Sequence, residues 1–363
     1  MINNLTRKLG IQIPIFQAPM AGVSTPEMAA TVSNSGGLGS IGVGNLDSEA
    51  ARKMVQAVRT LSDQPFNVNV FCHPPAIPDP EREAAWLLRL ETHFARYGAK
   101  PSKLLREIYT SFLVDNAMLD MLVNERPTVV SFHFGLPDAD RIRRLKEAGI
   151  TLLATATNPA EALAVEVAGV DVVIAQGYEA GGHRGTFDQD APDECLGTMA
   201  LTRLLVRTLS VPVVAAGGIM DGAGVAASLA LGASAAQLGT AFILCPESAA
   251  DSGYRRAMVE QPARRTVMTS AISGRPARSL ANLFTEFGDL SPADDVPSYP
   301  IAYDAGKALH AAAKAVGEFG YGAQWAGQGV ALARSMPAGE LVGALWRECQ
   351  EALALEIRRP SAP

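Results

Sequence analysis

Apolar positions along this chain follow two alternating rhythms. Leu9, Ile11, Ile13 and Ile15 fall on every second position and run into QAPMAG at 17–22, which predicts a strand ending in a loop broken by proline and glycine. The segment 25–35 is helical in period, starting at Ser24 or Thr25 with Pro26 and Glu27 in its first turn. A glycine-diluted strand at 38–42, a helix at 48–61 and an alternating strand at 66–71 follow, which makes three β-α units before residue 75. The rhythm then breaks, because HPPAIPDP at 73–80 is proline-rich and the stretch up to 126 is helical without a strand, as expected of an insertion. Strands resume at 128–134, 151–156, 170–176, 211–216 and 234–238, separated by helical stretches such as 138–148 and 160–167. Eight alternating units in this length predict a TIM (β/α)8 barrel, with a doubly wound sheet as the alternative.

Beyond residue 245 the composition shifts to alanine and other helix formers, patterned at 249–259, 303–319 and 338–357. The expected organisation is a barrel over 1–245 with its insertion at 73–126, a mostly helical substrate-capping region over 246–337, and a C-terminal helix and tail over 338–363. GLGSIG at 37–42 fits the dinucleotide pattern G-x-G-x-x-G, but a helix precedes it and its glycines lie inside the next strand, the reverse of the context that motif needs.

A net charge of -6 without a Lys/Arg cluster argues against nucleic acid as a partner. Cys72, Cys195, Cys245 and Cys349 are far apart, and the five histidines are scattered, so neither a disulfide framework nor a metal site is indicated. The N-terminus lacks an apolar secretory core and no apolar run reaches membrane-spanning length, so the expectation is a cytoplasmic chain with no membrane contact.

Two glycine-bearing strand ends, VVAAGG at 213–218 and AQLGT at 236–240, flank a helical segment at 221–231 and together suit a phosphate grip: glycine lets the main chain approach closely beside a helix N-terminus. The same glycines also suit plain helix–strand connections. The loop after the sixth strand offers Gln176, Glu179 and His183 among Gly181, Gly182 and Gly185, where barrel active sites gather. His183 can act as a base or a donor there, or be a surface histidine of a flexible loop. His133 closes the fourth strand and is a second candidate, equally readable as a packed core histidine. Asn69 is an amide at a strand mouth suited to the edge of a heteroaromatic ring, while Asn67 is expected on the opposite face. Tyr299, Tyr303 and Lys307 recur every four residues and share a face wherever that stretch is helical, offering two phenols and an ammonium to a small anion. Tyr109 and Tyr254 are further aromatic candidates. With no metal cluster and no G-x-S-x-G elbow, the chemistry falls to an organic cofactor.

QAPMAG at 17–22, NVNVF at 67–71, the segment 176–185, AAGG at 215–218 and QLGT at 237–240 resemble the nitronate monooxygenases over nearly the whole chain. The loop EAGGHRG and the tyrosines near Lys307 are similar to the bacterial class I branch, whose members act on propionate 3-nitronate. The resemblance implies FMN in the barrel, with Gly217, Gly218, Gln237, Leu238, Gly239 and Thr240 at or near its phosphate. Asn69 and Gln176 would lie near the ring system with Gly181 and Gly182 alongside, and Ala18, Pro19, Met20, Ala21 and Gly22 would line the isoalloxazine. It further implies His183 at the catalytic position, with His133, Tyr109, Tyr254, Tyr299, Tyr303 and Lys307 around the substrate. The implied reaction oxidises a nitronate with O2 to a carbonyl product and nitrite through a flavosemiquinone, His183 acting as a donor, or as a base toward a neutral nitroalkane. The rival readings are an FMN-dependent enoyl-acyl-carrier-protein reductase using NADH and a flavin-binding protein without turnover.

Overall fold

Asn3 and Thr6 cap each other's main-chain amides and start the chain as a helix, α1 (Asn4–Leu9), where the alternation of Leu9 to Ile15 predicts a strand. Gly10, at φ 72, stops that helix, and the strand proper, β1, is confined to Ile15–Gln17. Leu5, Leu9 and Ile11 join the inward-facing Phe16, Leu38, Val129 and Leu153 in one apolar cluster, so α1 plugs the bottom of the barrel. The computed structural model describes residues 3–260 and 265–357.

The barrel continues through α2 (Pro26–Asn34), β2 (Gly39–Gly42), α3 (Ser48–Leu61), β3 (Phe66–Phe71), α4 (Pro80–Ala95), α5 (Asn116–Glu125), β4 (Val129–His133), α6 (Ala139–Glu147), β5 (Thr151–Ala156), α7 (Pro159–Val167) and β6 (Val172–Gln176). After a two-residue strand β7 (Gly182–His183) come α8 (Thr198–Thr208), β8 (Val213–Ala216), α9 (Gly222–Ala230) and β9 (Ala235–Leu238). The eight barrel strands pair in parallel in the order β1-β9-β8-β6-β5-β4-β3-β2, and a bridge between Phe16 and Leu38 brings the two ends together. The architecture is the TIM barrel that the rhythm predicts. Strand side chains alternate: Val68, Val70, Val130, Phe132, Val173 and Ala175 turn outward against the helices, while their neighbours turn into the barrel. Each large apolar side chain buried in that outer layer contributes about 1.5–3 kcal/mol.

The glycines of 37–42 have a packing role. A Cβ on Gly39 would lie 1.9 Å from the Ala29 carbonyl, so α2 rests directly on the β2 main chain.

Outside the barrel follow α10 (Ser252–Val259), β10 (Thr266–Thr269), β11 (Ala277–Leu280), α11 (Leu283–Asp289), α12 (Ile301–Ala315) and α13 (Ala338–Ile357). The sequence pattern marks no strand here, yet β10, β11 and β7 form a three-stranded antiparallel sheet that carries His183. α4 shares one apolar cluster with the C-terminal region, Trp86, Leu90 and Phe94 meeting Ile272, Phe284 and Leu309 over one side of the barrel. α13 returns to the barrel wall, where Leu341, Val342 and Leu345 pack with Met28, Val32 and Val225 of α2 and α9. Among the described residues no helix is long and apolar enough to cross a membrane.

Candidate active site

Inward positions at the C-terminal ends of the barrel strands are polar where those nearer the bottom are apolar. Asn69, Ser131, His133, Thr155, Gln176 and Gln237 line one cavity of about 320 Å³, within the range of small-molecule and cofactor sites. Asn67 does not turn away from them. Its amide and that of Asn69 each donate to the Ser131 hydroxyl at 2.9 Å, because β3 keeps a regular parallel register with β4 and residues two apart share a face. The QAPMAG loop contributes Ala18, Pro19, Met20, Ala21 and Gly22 to the same cavity wall.

The late-strand end is built from main chain. Gly217 and Gly218 sit at φ 124 and 69, and Gly239 and Thr240 face them across the cavity. The helix N-terminus expected to complete a phosphate grip is already filled: α9 gives its Gly224 amide to Asp221 and its Gly222 amide to Glu348, each at 2.9 Å. Two protein carboxylates hold the positive end of that helix, so an anion here would rest on the glycine turn and on Gly239 and Thr240. Leu238 alternates outward into the apolar layer under α13 and reaches this side only through its carbonyl, which accepts from Ala18 N. Glu179 is structural: it accepts from the Thr198 amide and hydroxyl and so caps α8, whose own N-cap, Gly197, has no side chain to do it.

His183 is held from both sides. Its carbonyl accepts from Gln176 Nε2 at 3.0 Å and lies 3.2 Å from His133 Nε2, while its own Nε2 meets the Ser273 hydroxyl at 2.9 Å. His133 Nδ1 lies 3.0 Å from the Thr155 hydroxyl, so both of its nitrogens are engaged within the protein. Burial, reinforced by the cost of charging two adjacent imidazoles together and by the Arg275 charge, pushes His183 down to about 3, and burial pushes His133 down to about 4. Both imidazoles are neutral at physiological pH.

Aromatic rings close the remaining sides. Tyr299 and Tyr303 lie 5.4 and 6.2 Å from the His183 ring, and Trp325 lies 5.0 Å from it. α12 begins after Tyr299, so this tyrosine shares no helix with Tyr303 and Lys307, yet all three converge with Tyr109. The Lys307 ammonium stands at 5.0 Å over the Tyr109 ring and 5.3 Å over the Tyr303 ring. Among the described residues no carboxylate pairs with it, and partial burial lowers its pKa against the opposing pull of Asp304, so an anion in front of it gains. Tyr254 lines the cavity but spends its hydroxyl on the Trp325 carbonyl. The Tyr299 hydroxyl is buried and has no hydrogen-bond partner among the described residues.

Sequence reasoning did not find Ser273, Trp325, or Arg275, whose wholly buried guanidinium stacks 4.3 Å from the Phe134 ring. They come from the segment between β10 and β11 and from the chain before α13, whose position over the barrel depends on the small antiparallel sheet.

A family model described as nitronate monooxygenase matches residues 3–348. The chain belongs to the nitronate monooxygenase family. It is 62% identical over 345 residues to a nitronate monooxygenase of Paraburkholderia phytofirmans, covering 95% of this chain and 94% of that one. It is 54% identical over 348 residues to a nitronate monooxygenase of Pseudomonas aeruginosa, covering 96% and 99%. The structure of nitroalkane oxidase from Streptomyces ansochromogenes superposes with a TM-score of 0.90 at 40% identity, covering 98% of this chain and all 100% of that one. As a nitronate monooxygenase the protein is an oxidoreductase with FMN as its cofactor. The cavity fits that group: one end is lined by the main chain of Gly217 and Gly218, at φ 124 and 69, and of Gly239, which carry no side chain to occupy it. The middle offers the amides Asn69 and Gln237 to the edges of a flat heteroaromatic ring, while Gln176 lines the same wall with its amide engaged by the His183 carbonyl and the Gly185 N–H.

Proposed function

We propose that this nitronate monooxygenase oxidises propionate 3-nitronate, with O2, to malonate semialdehyde and nitrite or nitrate. The observation that carries the reading is the Lys307 ammonium, which lies over two tyrosine rings with no carboxylate partner among the described residues, in a cavity that also presents an uncharged histidine. A substrate with a carboxylate at one end and a nitronate at the other matches that polarity: the carboxylate faces Lys307, and the nitronate lies between His183 and Tyr299. Bound FMN supplies the electron acceptor and the route to oxygen. Gly217, Gly218, Gly239 and Thr240 would hold its phosphate, Asn69 and Gln176 would lie near the ring system, and residues 18–22 would line the ring. The protein's own part is to orient the anion, offer the Tyr299 hydroxyl to an oxygen, and keep water out with Tyr303 and Trp325. The insertion at 73–126 and the region 246–337 together cap the substrate side, the first supplying Tyr109 and the second the other aromatic residues and Lys307.

Oxygen uptake with propionate 3-nitronate tests this directly, and an enzyme silent toward it but active on simple alkyl nitronates would remove the substrate assignment. Lys307→Met is expected to raise KM for propionate 3-nitronate by about tenfold or more, the worth of one charge-assisted hydrogen bond, while leaving simple alkyl nitronates within about twofold. Equal effects on both substrates would place the lysine elsewhere in the reaction. His183→Asn is expected to lower kcat roughly 10- to 100-fold with FMN still bound. Full activity in that variant would take the histidine out of the chemistry.

A further inference from the structure

Two hydrogen bonds meet on one hydroxyl behind His183. Ser273, wholly buried, lies 2.9 Å from His183 Nε2 and 3.2 Å from the main-chain carbonyl of Arg275. A hydroxyl has one proton to give, and a carbonyl can only accept. If that proton went to Nε2, the Ser273 and Arg275 oxygens would face each other with no hydrogen between them, and among the described residues no other donor reaches this carbonyl. With the proton on the carbonyl side every group is satisfied, provided Nε2 carries a hydrogen and donates it to Ser273. We infer that Ser273 is a positioning residue that fixes His183 as its Nε2–H tautomer, leaving Nδ1, which has no partner among the described residues in a ring that lines the cavity, as a hydrogen-bond acceptor.

The surroundings keep this arrangement from rotating away. Arg275 is anchored by its guanidinium, which packs on Phe134 and donates to the Thr186 carbonyl, and the next carbonyl, that of Pro276, accepts from Arg184 N at 2.9 Å. Ala277 then pairs with His183 across β11 and β7. The segments 273–277 and 183–186 are therefore locked to each other, and turning the Arg275 carbonyl would break both. On the far side, Gln176 and His133 fix the His183 carbonyl. The buried guanidinium and burial itself both oppose a charge on the imidazole, so the ring is neutral and has to be one tautomer or the other. A hydroxyl behind the ring that sets the tautomer decides which way the reacting face of a histidine works. In the free enzyme that face accepts, so the hydroxyl left to donate to a nitronate oxygen is that of Tyr299.

The test is the ¹⁵N spectrum of the FMN-loaded enzyme labelled in its histidine rings, with the His183 signals assigned by their absence in His183→Asn. The expected result between pH 6 and 8 is a protonated Nε2 and a pyridine-like Nδ1. A protonated Nδ1 in the wild type overturns the inference, and the state of the ring is read in the wild-type enzyme itself. In Ser273→Ala, checked for FMN content, the ring is expected to populate both tautomers and kcat for a nitronate to fall about tenfold with KM within about twofold. Ser273→Thr, which keeps the hydroxyl, is expected to restore the single tautomer and most of the rate. An unchanged spectrum in Ser273→Ala also overturns the inference. The activity arm rests on the nitronate reading, but the spectrum does not: the Nε2–H tautomer in an enzyme inert toward every nitronate would support the Ser273 assignment and remove the substrate.

Discussion

Gly218→Val is expected to yield a folded protein without yellow colour, binding FMN at least 100-fold more weakly than the wild type. Gly218 sits at φ 69, a left-handed conformation that costs an L side chain about 1–2 kcal/mol and a β-branched one more. A Cβ there would meet only the Glu179 side chain, at 3.1 and 3.7 Å, so the fold can accommodate the change with a small shift of the turn. The cofactor cannot, because in the proposed binding mode the turn presents its main chain to the phosphate, and breaking one charge-assisted hydrogen bond costs about 1.5–3 kcal/mol. Backbone strain and the broken hydrogen bond together reach roughly 3–4 kcal/mol, which corresponds to a factor of more than 100 in affinity. Gly218→Ala should fall between the two. Flavin absorbance per chain after purification, followed by fluorescence titration of the stripped protein with FMN, gives the affinities. A valine variant that retains one FMN per chain would move the phosphate to another part of the cavity. The capped N-terminus of α9 sharpens this prediction, because Asp221 and Glu348 leave the glycine turn with a larger share of the hydrogen bonds to the phosphate.

Much of this site is visible in the sequence, because the barrel is assembled from local units. The helix at 48–61 and the strand at 66–71 are bounded by capping and alternation signals that their tertiary surroundings leave unchanged. The polar residues at inward strand ends, Asn69, His133, Gln176 and Gln237, stand out against the apolar alternation for the same reason. What the sequence hides depends on long-range pairing. His183 lies in a strand of two residues that exists only because β11 pairs with it, and β11 has no alternation to announce it. Ser273 and Arg275 reach the histidine through that sheet from about 90 residues away in sequence, a separation at which spacing carries no information. The alternation of Leu9 to Ile15 misleads in the opposite direction: the reciprocal Asn3–Thr6 cap and the left-handed Gly10 decide the local structure before periodicity can.

Acidification is expected to begin destabilising this protein well above the range in which carboxylates titrate. His73, His133 and His183 are pushed down to about 4, 4 and 3, chiefly by burial, with Arg275 adding its charge to each. The unfolded chain binds protons on these rings below about 6.5, while the folded chain does not bind them until about 4. Above 6.5 the rings are neutral in both states and cost nothing. As the pH falls from 6.5 toward 4 the unfolded state gains protons the folded state refuses, and each ring removes up to about 1.4 kcal/mol per pH unit. His73, 1% exposed and packed edge-on against Tyr299 at 5.0 Å, should deliver that loss most fully, roughly 2–3 kcal/mol. His133 and His183 line the cavity, where solvent softens the effect. His93 and His310 are also shifted down and add in the same direction. The depressed carboxyls Asp193, Asp251 and Glu348 contribute stability that is lost only below about pH 4, so the two classes separate on the pH axis. Against a total stability of about 5–15 kcal/mol, the histidines alone bring the midpoint of unfolding to between about pH 4 and 5. Urea unfolding at pH 7.5, 6 and 5 measures the slope, and His73→Phe should reduce it by about one proton. A stability that stayed level from pH 7.5 to 5 would mean that the folded protein takes up protons as readily as the unfolded chain, and that burial does not hold these rings neutral.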